Sequence, residues 1–227
     1  MSLQRVLEPE VMDTPDEARD YNRMDHSQVN QDFVSDLLDA GLSGGDILDL
    51  GTGTALIPIE LHRRLDENDA EFRIMAVDLA AHMLDVAKLN INAYECHDKI
   101  ELAQIDAKSL AYPDGMFDAV ISNSIIHHIP EPVSCLREAV RVSRPGGLLF
   151  FRDLLRPATD EQVRDLVATY AGDENQHSQK MFDDSLRAAL SLAEMADLIE
   201  SVGLDSSGLK QTTDRHWTWV ARKPATD

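Results

Sequence analysis

Apolar residues follow two rhythms along this chain. Short apolar runs at 46–50, 72–77, 99–105, 117–122 and 148–152 have the length of strands. Between them the apolar positions recur at helical spacing. Phe33, Val34, Leu37 and Leu38 form one stripe in a helix expected over 16–40, which Gly41 and Gly44-Gly45 end. A second helix is expected over 55–65, with Leu56, Ile59, Leu61 and Leu65 inward, Thr54 as its cap and Pro58 in its first turn. A third covers 80–94 with Met83, Leu84, Ala87 and Ile91 on one side, and a fourth covers 132–142 behind Pro132. Arg144-Pro145-Gly146-Gly147 reads as a turn before the strand at 148–152. From 159 to 201 the pattern is mostly helical with a break near Gly172, and 204–212 and 216–222 read as a closing antiparallel pair. Residues 1–15, with Pro9 and Pro15 among several acids, read as a loose lead-in.

Strands alternating with helices through about residue 152 imply a mainly parallel sheet with helices on both faces. The run at 46–50 is apolar enough to be covered on both sides. A length of 227 residues suits one well-buried domain, here read as a single domain over 1–227. Within it, 16–40 forms a helical lid and about 159–190 a helical insertion.

Composition narrows the classes. Hydrophobic residues at 43% and charged residues at 27% describe a globular chain, not a disordered one. A net charge of −20 repels phosphate backbones and argues against nucleic acid as a partner. Cys96 and Cys135 make no CxxC pair, which suits a reducing cytoplasm. The N-terminus has no apolar core of signal-peptide length, and no later run has the length of a membrane span, so a soluble cytoplasmic protein is expected. Composition leaves oligomeric state open.

Ligands of parallel sheets bind beyond the carboxyl ends of the strands, where strand order reverses. Three features reach that edge here. The turn Asp49-Leu50-Gly51-Thr52-Gly53 allows close backbone approach. Asp78, at the end of the next strand, stands where a carboxylate accepts from a ribose diol. Asp106, after the third strand, stands where one accepts from an exocyclic amine. Each acid also reads as a helix N-cap or a solvated strand end. A dinucleotide fingerprint requires a third small residue, and Leu56 follows Gly51 and Gly53 instead, which moves the reading away from NAD.

These motifs resemble those of class I S-adenosylmethionine-dependent methyltransferases. Residues 46–54 are similar to the family's first motif, 77–84 to its second-strand motif, 104–107 to its adenine-edge motif, 117–123 to its fourth strand, and 136–149 to the helix and turn before the fifth. The similarity spans about residues 20–155. It implies an α/β, doubly wound, mainly parallel seven-stranded sheet with helices on both faces, Rossmann-like, with the last strand antiparallel. It implies S-adenosyl-L-methionine as cofactor: Gly51, Thr52 and Gly53 against its methionine and ribose, and Asp49 at the amino end. Asp78 would bind the ribose hydroxyls, with Leu79 and Met83 beside adenine. Asp106 and Ala107 would meet the adenine edge, with Asn123 and Ser124 near the sulfonium.

Methyl transfer from a sulfonium needs alignment more than acid–base help, and no catalytic triad is expected. His127 or His128 is a candidate base, or else a structural histidine. If extended, the two would point to opposite sides. No HxxxH or cysteine partner accompanies them, so no metal is assigned. Tyr21 and His26 are candidate lid residues, or part of a plain surface helix. A second candidate lid is 173–184, which holds His177 and otherwise reads as a loop between helices. Arg152 and Asp153 are placed on the substrate side or as a local ion pair, and Trp217 and Trp219 in the core. The leading expectation is a methyltransferase acting on a small molecule. A non-catalytic binder of S-adenosylmethionine or its product comes second, and an NAD-dependent oxidoreductase third.

Overall fold

The computed structural model describes residues 3–9, 11 and 13–225. Strands β1 (Gly45–Leu50), β2 (Phe72–Asp78), β3 (Ile100–Gln104), β4 (Phe117–Asn123), β5 (Ser143–Leu154), β6 (Leu209–Gln211) and β7 (His216–Arg222) form one sheet. Their order is β3-β2-β1-β4-β5-β7-β6. β1 to β5 run parallel, and β7 is antiparallel to both β5 and β6. The order reverses between β1 and β4, and the turn after β1 leaves the sheet there. This is the doubly wound, mainly parallel α/β sheet expected from the alternation.

Side chains alternate across β1, and each set meets its own helices. Leu48 and Leu50 join Val120, Phe151, Trp217 and Trp219 in a core that includes α5 (Val133–Val142) and α8 (Leu192–Ser201). Ile47, Ile74, Ile121 and Phe150 pack instead on α2 (Ser27–Asp39), α3 (Leu56–Asp66) and α4 (Ala81–Ala93). Trp217 and Trp219 are fully buried, as expected, and the Trp219 ring lies 5.8 Å from Phe151. Cys96 and Cys135 are free and buried. No helix among the described residues is long and apolar enough to cross a membrane.

Several boundaries differ from expectation. The helix at 16–40 is two: α1 (Pro15–Arg23) and α2, separated where Met24 turns extended and Asp25 accepts from the Ser27 N–H and hydroxyl. A Thr14–Glu17 capping box starts α1. Thr54 does not cap α3. The turn carries left-handed residues through Ala55 (φ 63°), which becomes the N-cap without a side-chain bond. The turn expected at 144–147 is an irregularity inside β5: Phe117 pairs with Ser143 but Ala119 with Leu148. The stretch 159–201 resolves into α6 (Asp160–Tyr170), α7 (Gln176–Ala188) and α8. Most of the loop expected at 173–184 therefore belongs to α7, which Asn175 caps through the Ser178 N–H.

Before Pro15, where α1 begins, the described part of the lead-in has no regular structure, but it is tied down. The Val6 N–H donates to the Arg187 carbonyl, and the Arg5 guanidinium reaches the carbonyls of Ala188, Pro130, His127 and Ile129. Single long-range contacts of this kind leave no periodic trace in the sequence, which is why the segment read as loose.

Candidate active site

At the carboxyl end of β1 the chain turns through Gly51 (φ +72°) and Gly53 (φ +55°). A Cβ on Gly51 would stand 2.8 Å from the Ile125 side chain, so glycine is needed for space as well as for φ. The Gly51 and Thr52 N–H groups donate to the Val77 carbonyl at the end of β2. The Gly53 N–H donates to Asp78 Oδ2 at 2.8 Å, and Asp78 Oδ1 accepts from the Ala80 N–H at 2.8 Å. Asp78 therefore braces the glycine turn and the start of α4 together, the local role that a strand-end acid was open to. Burial raises its pKa, against the pull of these backbone donors.

Asp49 lies in register between Ala76 and Ile121, on the α2–α3 face of the sheet. It is 2% exposed, and its Oδ2 has no hydrogen-bond partner. The hydroxyls of Thr52 and Thr54 are buried without partners as well. Burial pushes the Asp49 carboxyl up to about 7, with the Asp78 charge adding to the rise. A cavity lined by Asp49, Gly51, Thr52, Thr54, Asn123, Tyr21 and Asn30 measures about 20 Å³, room for one water.

Tyr21 of α1 covers this cavity, its ring 3.8 Å from where a Cβ on Gly53 would stand. Burial, with the charges of Asp78 and Asp49, pushes its phenol up to about 12, so it stays a neutral donor. His26 lies against Tyr21, with ring centroids 4.6 Å apart and Nε2 3.1 Å from the Tyr21 carbonyl. Burial lowers its pKa. α1 is held over α4 by a small cluster of Ala18, Ala80 and Met83 with Val11, Tyr21 and Val86. Asn90 Nδ2 donates both to Asn22 Oδ1 and to the Thr54 carbonyl, at 2.8 Å each.

The residues of the expected adenine side are partly exposed and partly buried. Leu79 is 38% exposed beside Asp78. Met83 is buried under α1. Asp106 Oδ1 accepts from the Lys108 N–H at 2.9 Å and pairs with its ammonium at 3.0 Å, and Ala107 is buried. Asn123 lines the cavity, while Ser124 is left-handed (φ 59°) and donates its N–H to the Arg152 carbonyl.

Beyond Ser124 the chain winds into a 3-10 turn, Ile126–His128. The two histidines therefore do not alternate as in a strand; their ring centroids are 4.1 Å apart. Asp153 on β5 accepts from the Ile126 and His127 N–H groups and lies 2.5 Å from His127 Nδ1. Burial opposes charge on both His127 and Asp153. Their mutual attraction prevails, raising the imidazole's pKa and lowering the carboxyl's. Glu8 of the lead-in reaches the same place, its Oε1 3.4 Å from His127 Nε2 and 3.0 Å from His128 Nδ1.

A family model described as a methyltransferase domain matches residues 48–151, the stretch from β1 to β5 that holds the turn and all three acids. This stretch is similar to a methyltransferase domain. A ubiquinone biosynthesis O-methyltransferase of Xanthomonas oryzae pv. oryzae is 32% identical to it over 129 residues, covering 56% of this chain and 50% of that protein. A 27-O-demethylrifamycin SV methyltransferase of Amycolatopsis mediterranei is 29% identical over 187 residues, covering 80% of this chain and 62% of its own length. The chain spans about half the length of the first curated relatives it matches. A S-adenosylmethionine-dependent methyltransferase from Aquifex aeolicus shares the fold, with a TM-score of 0.71 at 19% identity over 92% of this chain and 98% of that one. S-adenosyl-L-methionine is the cofactor of this family.

Around the glycine turn the structure gathers Asp49, Gly51, Thr52, Gly53, Asp78, Asn123 and Tyr21, with His26 behind. It does not bring Arg152 or His177 there. Arg152 turns to the α2 face, pairs with Asp36 and Thr218, and lies over the Phe33 and Phe150 rings. Asp153 turns to the other face, so these neighbours form no local ion pair. His177 is exposed and lines an open concavity of about 660 Å³ with the outer, charged face of α1. The sequence reading missed Glu8, Asn30 and the left-handed Ala55. Glu8 carries no spacing signal, and its role depends on a tertiary contact across the chain.

Proposed function

We propose that this chain binds S-adenosylmethionine across its glycine turn and transfers the methyl group to a small-molecule acceptor by direct in-line displacement. The observation that carries the reading is the unpartnered, buried Oδ2 of Asp49 beside the turn. A buried carboxylate oxygen left without a hydrogen-bond partner beside a polar cavity is worth its burial once a cationic donor meets it, and an amino-acid ammonium is one.

In this reading Asp49 takes the ammonium and Thr52 and Thr54 turn their hydroxyls toward the amino-acid end. Gly51 and Gly53 let the backbone approach, and Asp78 offers its remaining lone pairs to the ribose hydroxyls. Leu79, and Met83 once α1 has moved, supply apolar surface for adenine, with Asp106 and Ala107 at its edge. Asn123 and Ser124 close the sulfonium end. The cofactor supplies an activated methyl on a neutral leaving group, so the chain's work is alignment and exclusion of water. A cavity of about 20 Å³ is far below the several hundred Å³ that enclose a ligand of this size. Tyr21 and α1 therefore act as a lid that opens for entry and closes over the bound cofactor.

Calorimetry with S-adenosylhomocysteine tests the site. Asp78→Ala is expected to weaken binding at least tenfold, and near-normal affinity would remove the assignment. Transfer of tritiated methyl into small molecules of a metabolite extract tests the reaction. Tight binding with no labelled product would favour a non-catalytic binder instead.

A further inference from the structure

We propose that Glu8, His127 and His128 form a binding site for a divalent first-row transition-metal ion. One oxygen or nitrogen from each lies within 4.8 Å of the others, and His127 and Glu8 are largely buried. Two edges of this triangle are 3.4 Å and 3.0 Å. Ligands about 2.0–2.1 Å from a tetrahedral ion stand roughly 3.3 Å apart, close to these two edges, and the third is within 4.8 Å.

The unmet valences point the same way. Glu8 Oε1 and His128 Nδ1 are buried with no hydrogen-bond partner, although they lie 3.0 Å apart. At that distance they also form an ion pair when the imidazole is protonated, so metal binding would have to replace this contact. Asp153 Oδ1 stands 2.5 Å from His127 Nδ1, and the other ring nitrogen, Nε2, faces Glu8 at 3.4 Å. A carboxylate behind a ligating imidazole fixes its tautomer and raises its basicity. Glu8 is pre-positioned: its Oε2 accepts from the Ser185 hydroxyl at 3.1 Å, and Arg5 ties the same segment to the His127 and Ile129 carbonyls. Glu8 and Asp153 bring two carboxylates against the histidine pair, and both raise the pKa of His127.

Two imidazoles with one carboxylate suit zinc, iron, cobalt or manganese better than magnesium, and three protein ligands leave at least one coordination position open. The turn holding both histidines follows β4 at the same sheet edge as the glycine turn, and Ile125 between them packs against Gly51. An acceptor oxygen or nitrogen at the open position would be made more acidic by the ion. That use rests on the methyl-transfer reading; the ion site itself does not.

The test is a Co²⁺ titration of the full chain after exhaustive chelation, read by visible d–d absorption, with Zn²⁺ as competitor. The expected result is one Co²⁺ per chain, displaced by Zn²⁺. Glu8→Gln and His128→Gln should each weaken it about 100-fold, with far-UV circular dichroism unchanged, while His177→Gln should bind as the parent does. Absence of a d–d band at one equivalent, or undiminished binding in either folded variant, overturns the proposal and leaves the same atoms as a carboxylate latch on protonated imidazoles. Calorimetry with S-adenosylhomocysteine on the chelated chain is read separately, so failure of the metal site and failure of the cofactor site are distinct results.

Discussion

Among individual side chains, Asp49 carries the largest conflict between folding and binding. Its carboxyl is raised from the usual range to about 7. The folded chain therefore holds a proton that the unfolded chain has lost between about pH 4 and 7. Across that window this residue's contribution to stability falls as pH rises, and above it the full penalty of a buried, unpaired charge remains. Asp49→Asn is expected to raise the melting temperature at pH 8 and to leave it nearly unchanged at pH 4, as a thermal-shift series would read. The same variant should bind S-adenosylhomocysteine roughly 10–100-fold more weakly, the loss of a charge-assisted hydrogen bond. An ammonium prefers the ionised carboxylate, so wild-type affinity should drop as pH falls below about 7 while the variant's stays flat; parallel profiles would remove Asp49 from the ammonium site. Gly51 presents the opposite case, a residue needed for what it lacks. Gly51→Ala, with φ +72° and Ile125 2.8 Å from the new Cβ, should cost about 1–3 kcal/mol in chemical denaturation.

At the scale of elements, the proposed gating of entry depends on how α1 is held. α1 rests on a small cluster around Ala18 and Met83 and on the Asn22–Asn90 hydrogen bond. Asn22→Ala removes that tie while leaving Asn90 its bond to the Thr54 carbonyl. A loss of about 1 kcal/mol would enlarge the open population roughly fivefold, and stopped-flow association of S-adenosylhomocysteine should quicken by a similar factor. An unchanged rate would mean that α1 does not gate entry. The sequence and the structure agree best where local chemistry decides the element. The glycine turn, the strand-end acids and the apolar strand runs were legible because each depends on residues close in sequence. The break at Met24, the shift of the α3 cap from Thr54 to Ala55 and the irregularity at 144–147 were not. They follow from how α1 meets α4, how the turn continues left-handed, and how β5 registers with β4. Glu8 lay furthest from view, because its partners stand about 120 residues away and no pattern links them.

For the molecule as a whole, both cores share one sheet, since Leu48 and Leu50 serve one face and Ile47 the other. Unfolding is therefore expected to be a single cooperative event, and a ligand at the β1–β4 edge should stabilise the entire chain. S-adenosylhomocysteine at about 100 times its dissociation constant contributes about 2.7 kcal/mol, a rise of roughly 5–10 °C in melting temperature for a chain of this size. Scanning calorimetry should show one transition moving as a unit, whereas a split transition would mean that the α6–α7 region unfolds by itself. The burial of Trp217 and Trp219 on β7, across β5 from the glycine turn, has an optical consequence. These are the chain's two tryptophans, and neither borders the cavity beside the glycine turn. Their emission, excited at the red edge where tyrosine does not absorb, therefore follows loss of the core and not the position of Tyr21.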